Sequence, residues 1–299
     1  MPRYDVTLLT ESRYEQPRTI NWYVEQILTE DRLVQEALSD LGLRCRRVDW
    51  ARPDVDWSDT RYALFRTTWN YFDYYKDWQR WLQQTARQTR FINSYAHAQW
   101  NMDKRYLADL ADRGVHIPAT RFIEAGTAIE LEKLFHESGW PEAVLKPAVS
   151  GAGRHTYRLS AANVHEYAEI FAQLLQREAL LLQEFQQQVV DFGELSLMVI
   201  DGEVTHAVRK IARPGEFRVQ DDFGGTVQAY EPLAAEVKFA EHVIAACPDP
   251  PLYARVDLIR DNADRLALAE LELMEPEMWF RHNPAAARRL ATAIKRQYF

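Results

Sequence analysis

The stretch that most constrains this chain begins at Asp257 and ends at Phe280, DLIRDNADRLALAELELMEPEMWF. It reads as two apolar strands, Leu252 to Ile259 and Leu266 to Leu273, joined by the polar turn Asp261-Asn262-Ala263-Asp264. Side chains alternate along a strand, so Glu270 and Glu272 share one face. Asp257 joins them if the turn pairs it with either glutamate, whereas a one-residue slip sends it to the opposite side. Carboxylates set opposite one another repel and need a cation. A hard divalent ion is the natural one, because carboxylate oxygens suit magnesium and phosphates can complete its shell. The competing reading is a solvated acidic face on an ordinary hairpin.

A chain of 299 residues with 47% hydrophobic content can bury one large core or two to three smaller ones. Its 36 basic and 44 acidic side chains leave a net charge of -8, which argues against nonspecific nucleic-acid binding. Cys45 and Cys247 are too few for a disulfide framework and have no metal-site spacing, so a reducing cytoplasm is expected. The start MPRYDVTLLTESRYEQ meets charge too soon for a signal peptide, and no apolar run reaches the roughly 20 residues that span a bilayer. The aromatic residues concentrated between Trp50 and Trp100 read as core packing. The eight histidines show no ligand pairing, and only His155, beside a glycine-rich loop, draws notice.

Along the chain, Tyr4 to Leu9, Cys45 to Trp50, Tyr62 to Arg66 and Phe91-Ile92 read as strands. Helices over about Asn21 to Leu41 and Tyr74 to Gln88 separate them, giving a small parallel α/β domain that ends near Ser94. Arg66 closes a strand at the end where open α/β sheets bind ligands, so it could fork onto a carboxylate or phosphate; otherwise it is a surface ion pair. A helix over Asp103 to Arg113 stops at Gly114, Thr127 to Glu130 forms a capping box, and Ser160 caps a helix running to about Arg177. Ala143 to Lys146 is a strand, followed by PAVSGAGRHTYRL, a loop between two strands whose amides could fold over a phosphate. Ala179 to Phe185 is a strand, and Asp201-Gly202 joins Glu194 to Ile200 with Glu203 to Ile211 in a hairpin. Helices over Pro232 to Ala246 and Asn283 to Gln297 flank the acidic hairpin.

The chain order DKRYL, VLKPAVSGAGR, LLLQEF, RKIARPGEFR, VDLI, AELELMEP resembles that of the ATP-grasp superfamily, in its glutathione-synthetase-like branch. The resemblance covers nearly the whole chain. It implies an α/β fold in which an N-terminal parallel α/β domain (1–100) precedes two subdomains, 101–181 and 182–299, that clasp ATP. Lys104 and Lys146 are then similar to the lysines that hold ATP phosphates, and the loop Ser150, Gly151, Gly153, Arg154 to the lid over them. Gln183, Glu184 and Phe185 resemble the hinge that meets adenine, with Asp191 or Glu194 at the ribose. Arg209, Lys210 and Arg218 resemble the basic residues that reach the transferred phosphate and the acyl intermediate. Asp257, Glu270 and Glu272 resemble the magnesium ligands, with manganese able to substitute. Many relatives have E-x-N where this chain has Glu270-Leu271-Glu272, which leaves open one metal ion or two.

The same resemblance implies an ADP-forming ligase that joins a small carboxylate to an amine through an acyl phosphate. Phosphoryl transfer is catalysed by positioning and by cancelling charge on phosphate oxygens, so lysines, arginines and magnesium are the parts it needs. Arg209 or Lys210 would stabilise the oxyanion, and no catalytic serine or cysteine is required. Arg66, Trp69, Asn70 and Tyr71 would frame the substrate, and Glu275 would serve the metal, the substrate amine or neither. The expected partners are a small-molecule carboxylate and an amine, with no nucleic acid or membrane and with a homodimer allowed. Cyclisation within one molecule and coupling of two are both open. The rival readings are a nucleotide-binding module without catalysis and a metal-dependent phosphohydrolase, which lacks the usual histidines.

Overall fold

The computed structural model describes residues 2–219 and 224–299, and builds three sheets in chain order. The first contains β1 (Tyr4–Thr10), β2 (Cys45–Asp49), β3 (Thr60–Thr67) and β4 (Arg90–Ile92), all parallel in the order β2-β1-β3-β4. Their apolar runs are buried on both faces because helices cover them, as parallel sheets require. The helix Trp22–Asp40 is one cover: Asn21 caps it by accepting the Val24 N–H, and Ile27, Val34 and Leu38 face the core. Leu41, just past its end, is exposed, whereas Glu30 and Asp31 are buried.

The second sheet has β5 (Thr120–Ile123), β6 (Glu142–Pro147), β7 (Tyr157–Ser160) and β8 (Leu180–Glu184), antiparallel in the order β5-β8-β6-β7. β8 carries this sheet past residue 181, to Glu184. The two expected helix caps are absent. Thr127 turns its hydroxyl back to the Glu124 carbonyl, leaving Glu130 as the N-cap of the helix Leu131–Ser138 with no side-chain bond. Ser160 ends β7, where Asn163 holds it, and the following helix, Ala168–Leu175, starts eight residues later. Strand pairing of Ser160 with Glu142 wins over local capping.

The third sheet has β9 (Glu194–Ile200), β10 (Glu203–Ile211), β11 (Thr226–Tyr230), β12 (Tyr253–Arg260) and β13 (Leu266–Glu272), in the order β11-β10-β9-β12-β13. Asp201 and Gly202 both have positive φ, 56° and 77°, as a tight two-residue hairpin needs. The register places Asp257 opposite Glu270 and Arg255 opposite Glu272, with a bulge after Asp257. On the neighbouring strand Ser196 pairs with Asp257, and Glu194 with Lys210. Four strands therefore deliver a polar residue to one face, while Leu195, Leu197, Val256 and Leu268 pack on the other against Ala240 and Val243 of the helix Ala234–Ala245.

Side chains far apart in sequence fix this sheet against the N-terminal one. The Tyr253 hydroxyl, with one proton to donate, lies 3.1–3.3 Å from the carbonyl oxygens of Phe65, Ile92 and Met274. Asn93 binds the Tyr253 and Leu273 carbonyls and the Leu252 N–H, and Asn101 clasps the Leu271 carbonyl and the Leu273 N–H. Asn101 ends the helix Tyr95–Asn101, which the sequence reading did not identify. Gly193 has φ 103°, and a Cβ there would sit 2.3 Å from the Lys210 carbonyl oxygen. Gly193→Ala is therefore expected to destabilise the protein by about 3 kcal/mol or more, combining strain and overpacking. The shift in urea midpoint measures it; an unchanged midpoint would contradict this packing.

Candidate active site

The three sheets enclose a cleft of about 490 Å³. At one end Val144 and Lys146 of β6, Gln183 and Glu184 of β8, Phe185 and Ile259 line it, and the Ser150–Arg154 loop borders it with Gly151 beside Phe72. The carboxylates and cations of the third sheet line its middle. Residues of the first domain line the other end, among them Arg13, Tyr14, Tyr23, Trp69, Tyr71 and Phe72, facing Glu275, Glu277 and Trp279.

In the middle, one oxygen each of Asp257, Glu270 and Glu272 lies within 4.8 Å of the others. The register explains it, since Asp257 and Glu270 are direct partners and Glu272 lies two residues further on the same side. Arg255 chelates Asp257 at 2.9 Å through both Nε and Nη2, and reaches Glu272 at 2.5 Å. Lys210 contacts Asp257 at 3.3 Å and pairs with Glu194, and Ser196 donates to Asp257 at 2.6 Å. Burial would raise Asp257, but Arg255 and Lys210 outweigh it and hold its pKa at about 2. Glu272 moves the other way: burial and repulsion from Glu270 and Asp257 outweigh Arg255 and push it up to about 8. A trio whose charges oppose one another this strongly, all offering oxygen, fits a hard divalent cation.

Lys104 donates to the Ser150 carbonyl at 2.6 Å and lies 3.1 Å from Glu270, so it ties the glycine-rich loop to the acidic trio. Lys146 approaches Gln183 at 3.3 Å; burial lowers its pKa, against the pull of Glu270. Arg154 forks onto Glu178 at 2.8 and 2.9 Å and anchors the loop from outside. Gly151 comes so close to the first domain that a Cβ would lie 2.7 Å from the Phe72 ring. At the hinge, the Phe185 N–H binds the Glu142 carbonyl and its own carbonyl accepts from Asn262. Its ring lines the cleft, with Arg158 stacked 3.8 Å from the ring centre.

The cleft thus gathers Lys104, Lys146, Ser150, Gly151, Gly153, Arg154, Gln183, Glu184, Phe185, Glu194, Lys210, Arg218, Asp257, Glu270, Glu272, Trp69 and Tyr71. Four expected site residues do not line it. Arg209 follows strand alternation to the face opposite Lys210, donating to the Phe192 carbonyl and stacking on its ring. Arg66, 1% exposed, is bound to Glu30 and Asp31. Asn70 accepts from Trp50, and Asp191 from Gln187. His155 contacts Tyr157 rather than the cleft. Arg255 is the main residue that sequence reasoning missed. Its signal was available: it stands two residues before Asp257, on the same strand face.

A cleft that gathers lysines and clustered carboxylates between an antiparallel lid sheet and a parallel domain is the arrangement of an ATP-grasp ligase. The family model for the ATP-grasp domain of prokaryotic glutathione synthetase matches residues 116–264, and that for the N-terminal domain of D-cycloserine synthetase DcsG matches residues 6–93. The chain belongs to the ATP-grasp superfamily. Among its relatives is the cycloserine biosynthesis protein DcsG of Streptomyces lavendulae, 28% identical over 270 residues, which are 87% of this chain and 90% of that one. The crystal structure of D-cycloserine synthetase DcsG superposes with a TM-score of 0.85 at 25% identity, covering 98% of this chain and 99% of the other. The D-alanine–D-alanine ligase of Bacillus anthracis shares the fold, with a TM-score of 0.64 at 14% identity over 98% and 96% of the two chains. Among the described residues no helix is long and apolar enough to cross a membrane.

Proposed function

We propose that this enzyme activates the carboxylate of a small amino-acid-like molecule as an acyl phosphate and closes a ring onto a nitrogen of the same molecule. The observation that carries the ring-closing reading is the match over residues 6–93. The residues at the far end of the cleft, Arg13, Tyr14, Tyr23, Trp69, Tyr71 and Phe72, all lie within that segment. The substrate end is therefore built by the part of the chain that resembles a D-cycloserine synthetase. The chain resembles the ligase that closes O-ureidoserine into the cycloserine ring, so O-ureidoserine is the first substrate to assay.

In the first step a substrate carboxylate oxygen bonds to the terminal phosphorus of ATP, the bond to the bridging oxygen breaks, and ADP leaves. Lys104, Lys146 and Lys210 line the cleft where charge builds on the phosphate oxygens. In the second step the nitrogen attacks the acyl carbon, phosphate leaves with the bonding pair, and the nitrogen gives up a proton. Lys210, Arg218 or Arg255 stabilises the oxyanion, a role for which Arg209 faces the wrong way. Asp257, Glu270 and Glu272 would hold magnesium, or manganese, which when bound neutralises phosphate charge. Cys45 and Cys247 are pushed up to about 12 by burial and do not line the cleft, so no thiolate competes as nucleophile.

Incubation with ATP, magnesium and O-ureidoserine is expected to release ADP and phosphate only when the substrate is present. AMP and pyrophosphate would reject the acyl-phosphate route. Calorimetric ATP binding without substrate-dependent ADP across small carboxylates would point to a binding module instead.

A further inference from the structure

Glu30 lies mid-helix in Trp22–Asp40, 4% exposed and away from the cleft. A carboxylate buried in a helix face is costly unless it is fully bonded. Three donors meet Glu30: the main-chain N–H of Met278 at 2.5 Å, that of Phe280 at 3.2 Å, and Arg66 Nη2 at 2.8 Å. Arg66 is held in turn by Asp31 at 3.3 Å, and Asp31 by Arg47 at 2.5 Å. The two N–H groups flank Trp279, whose φ is +44°. A non-glycine residue in that conformation is strained and persists only where its surroundings over-determine it. On its far side the segment is pinned by His206, which contacts the Met278 carbonyl at 2.8 Å.

Trp279 in turn lies beneath the charged centre of the cleft, with its ring 5.2 Å from Arg255 Cζ and 5.7 Å from Lys210 Nζ. These two cations hold Asp257 and Glu272. We propose that Glu30, which does not line the cleft, is a positioning residue: it clamps the backbone on both sides of Trp279 so that the indole forms a fixed floor for Arg255 and Lys210. This rests on the functional reading above only for its kinetic test. The buried cluster of Glu30, Asp31, Arg47 and Arg66 thereby acquires a purpose beyond stability.

The test uses Glu30→Gln, Trp279→Ala and the double variant, assayed with ATP, magnesium and O-ureidoserine. An amide offers one acceptor oxygen where the carboxylate offers two, so it cannot serve all three donors. Glu30→Gln is expected to lower kcat/KM for O-ureidoserine about 30-fold or more, as small misplacements of catalytic groups do. KM for ATP should stay within about threefold, because interactions made before the transition state are spared. The double variant should be no worse than Trp279→Ala alone, since the two residues act through one path. Losses that multiply, or an unchanged kcat/KM in Glu30→Gln, would overturn the proposal. If Glu30→Gln does not fold, Glu30→Asp keeps the charge for Arg66 but withdraws the oxygens from the loop, and the same split is expected. A crystal structure of the variant gives a readout independent of substrate: Trp279 leaves positive φ if the clamp is real, and an unmoved indole refutes it. Absence of wild-type turnover with O-ureidoserine would count against the functional reading, and the crystal comparison would then decide the positioning role alone.

Discussion

Lys146→Ala is expected to lower turnover by about 10³-fold or more, the scale on which single preorganised charges act in phosphoryl and acyl transfer. The fold is expected to survive the loss of this side chain. Among the described residues its only side-chain hydrogen bond is a 3.3 Å contact to Gln183, which also has Thr120 as partner at 2.9 Å. Burial disfavours the ammonium, as its lowered pKa records, so removing it also removes a desolvation cost. The melting temperature should therefore change by only a few degrees, about the effect of 1 kcal/mol or less. Lys104 would be a less clean probe, because it also holds the Ser150 carbonyl and its loss would loosen the loop. ADP release and thermal unfolding, measured on the same preparation, separate the outcomes. Activity within tenfold of wild type would remove Lys146 from the phosphate path, and a collapsed fold would make it structural.

The acidic hairpin was legible as two strands and a polar turn from strand period and turn chemistry; its register, left open by the sequence, is the one that brings Asp257 opposite Glu270. The parallel domain was legible for a similar reason: buried strands alternate with helices whose faces show in the sequence. Arg209 shows the same rule disregarded, since adjacent strand residues cannot both face one cleft, and Lys210 takes the place. Arg66 failed for a different reason. Its position at a strand's carboxyl end suggested a ligand, but the helix that packs there brings Glu30 and Asp31, whose burial no local pattern announced. The substrate end was the least readable. Tyr14 and Tyr23 meet Trp69 only after folding, and no spacing within the chain links them. Arg255 was visible in the sequence, two residues before Asp257, and its guanidinium is a balancing cation already built into the strand.

That built-in cation leads to the second large effect. Arg255→Met should destabilise the protein by about 3–5 kcal/mol in chelator, because breaking a buried ion pair leaves its partners uncompensated. Asp257 keeps Lys210 and Ser196, but Glu272 loses the only cation bound to it among the described residues. Methionine fills much of the arginine's volume, so the loss reflects charge more than a cavity. Magnesium should then restore much of the stability, since a ligand of the native state stabilises by RT ln(1 + [L]/Kd). Wild type should gain much less from magnesium alone, because the guanidinium already occupies the oxygens an ion would take. Melting curves of both proteins in chelator and in millimolar magnesium make the comparison, without any substrate. An equal fall in melting temperature with and without magnesium would mean that the three carboxylates do not form a cation site. A loss confined to chelator would show arginine and metal sharing one place, with the protein's own charge holding the acidic face together until nucleotide and ion arrive.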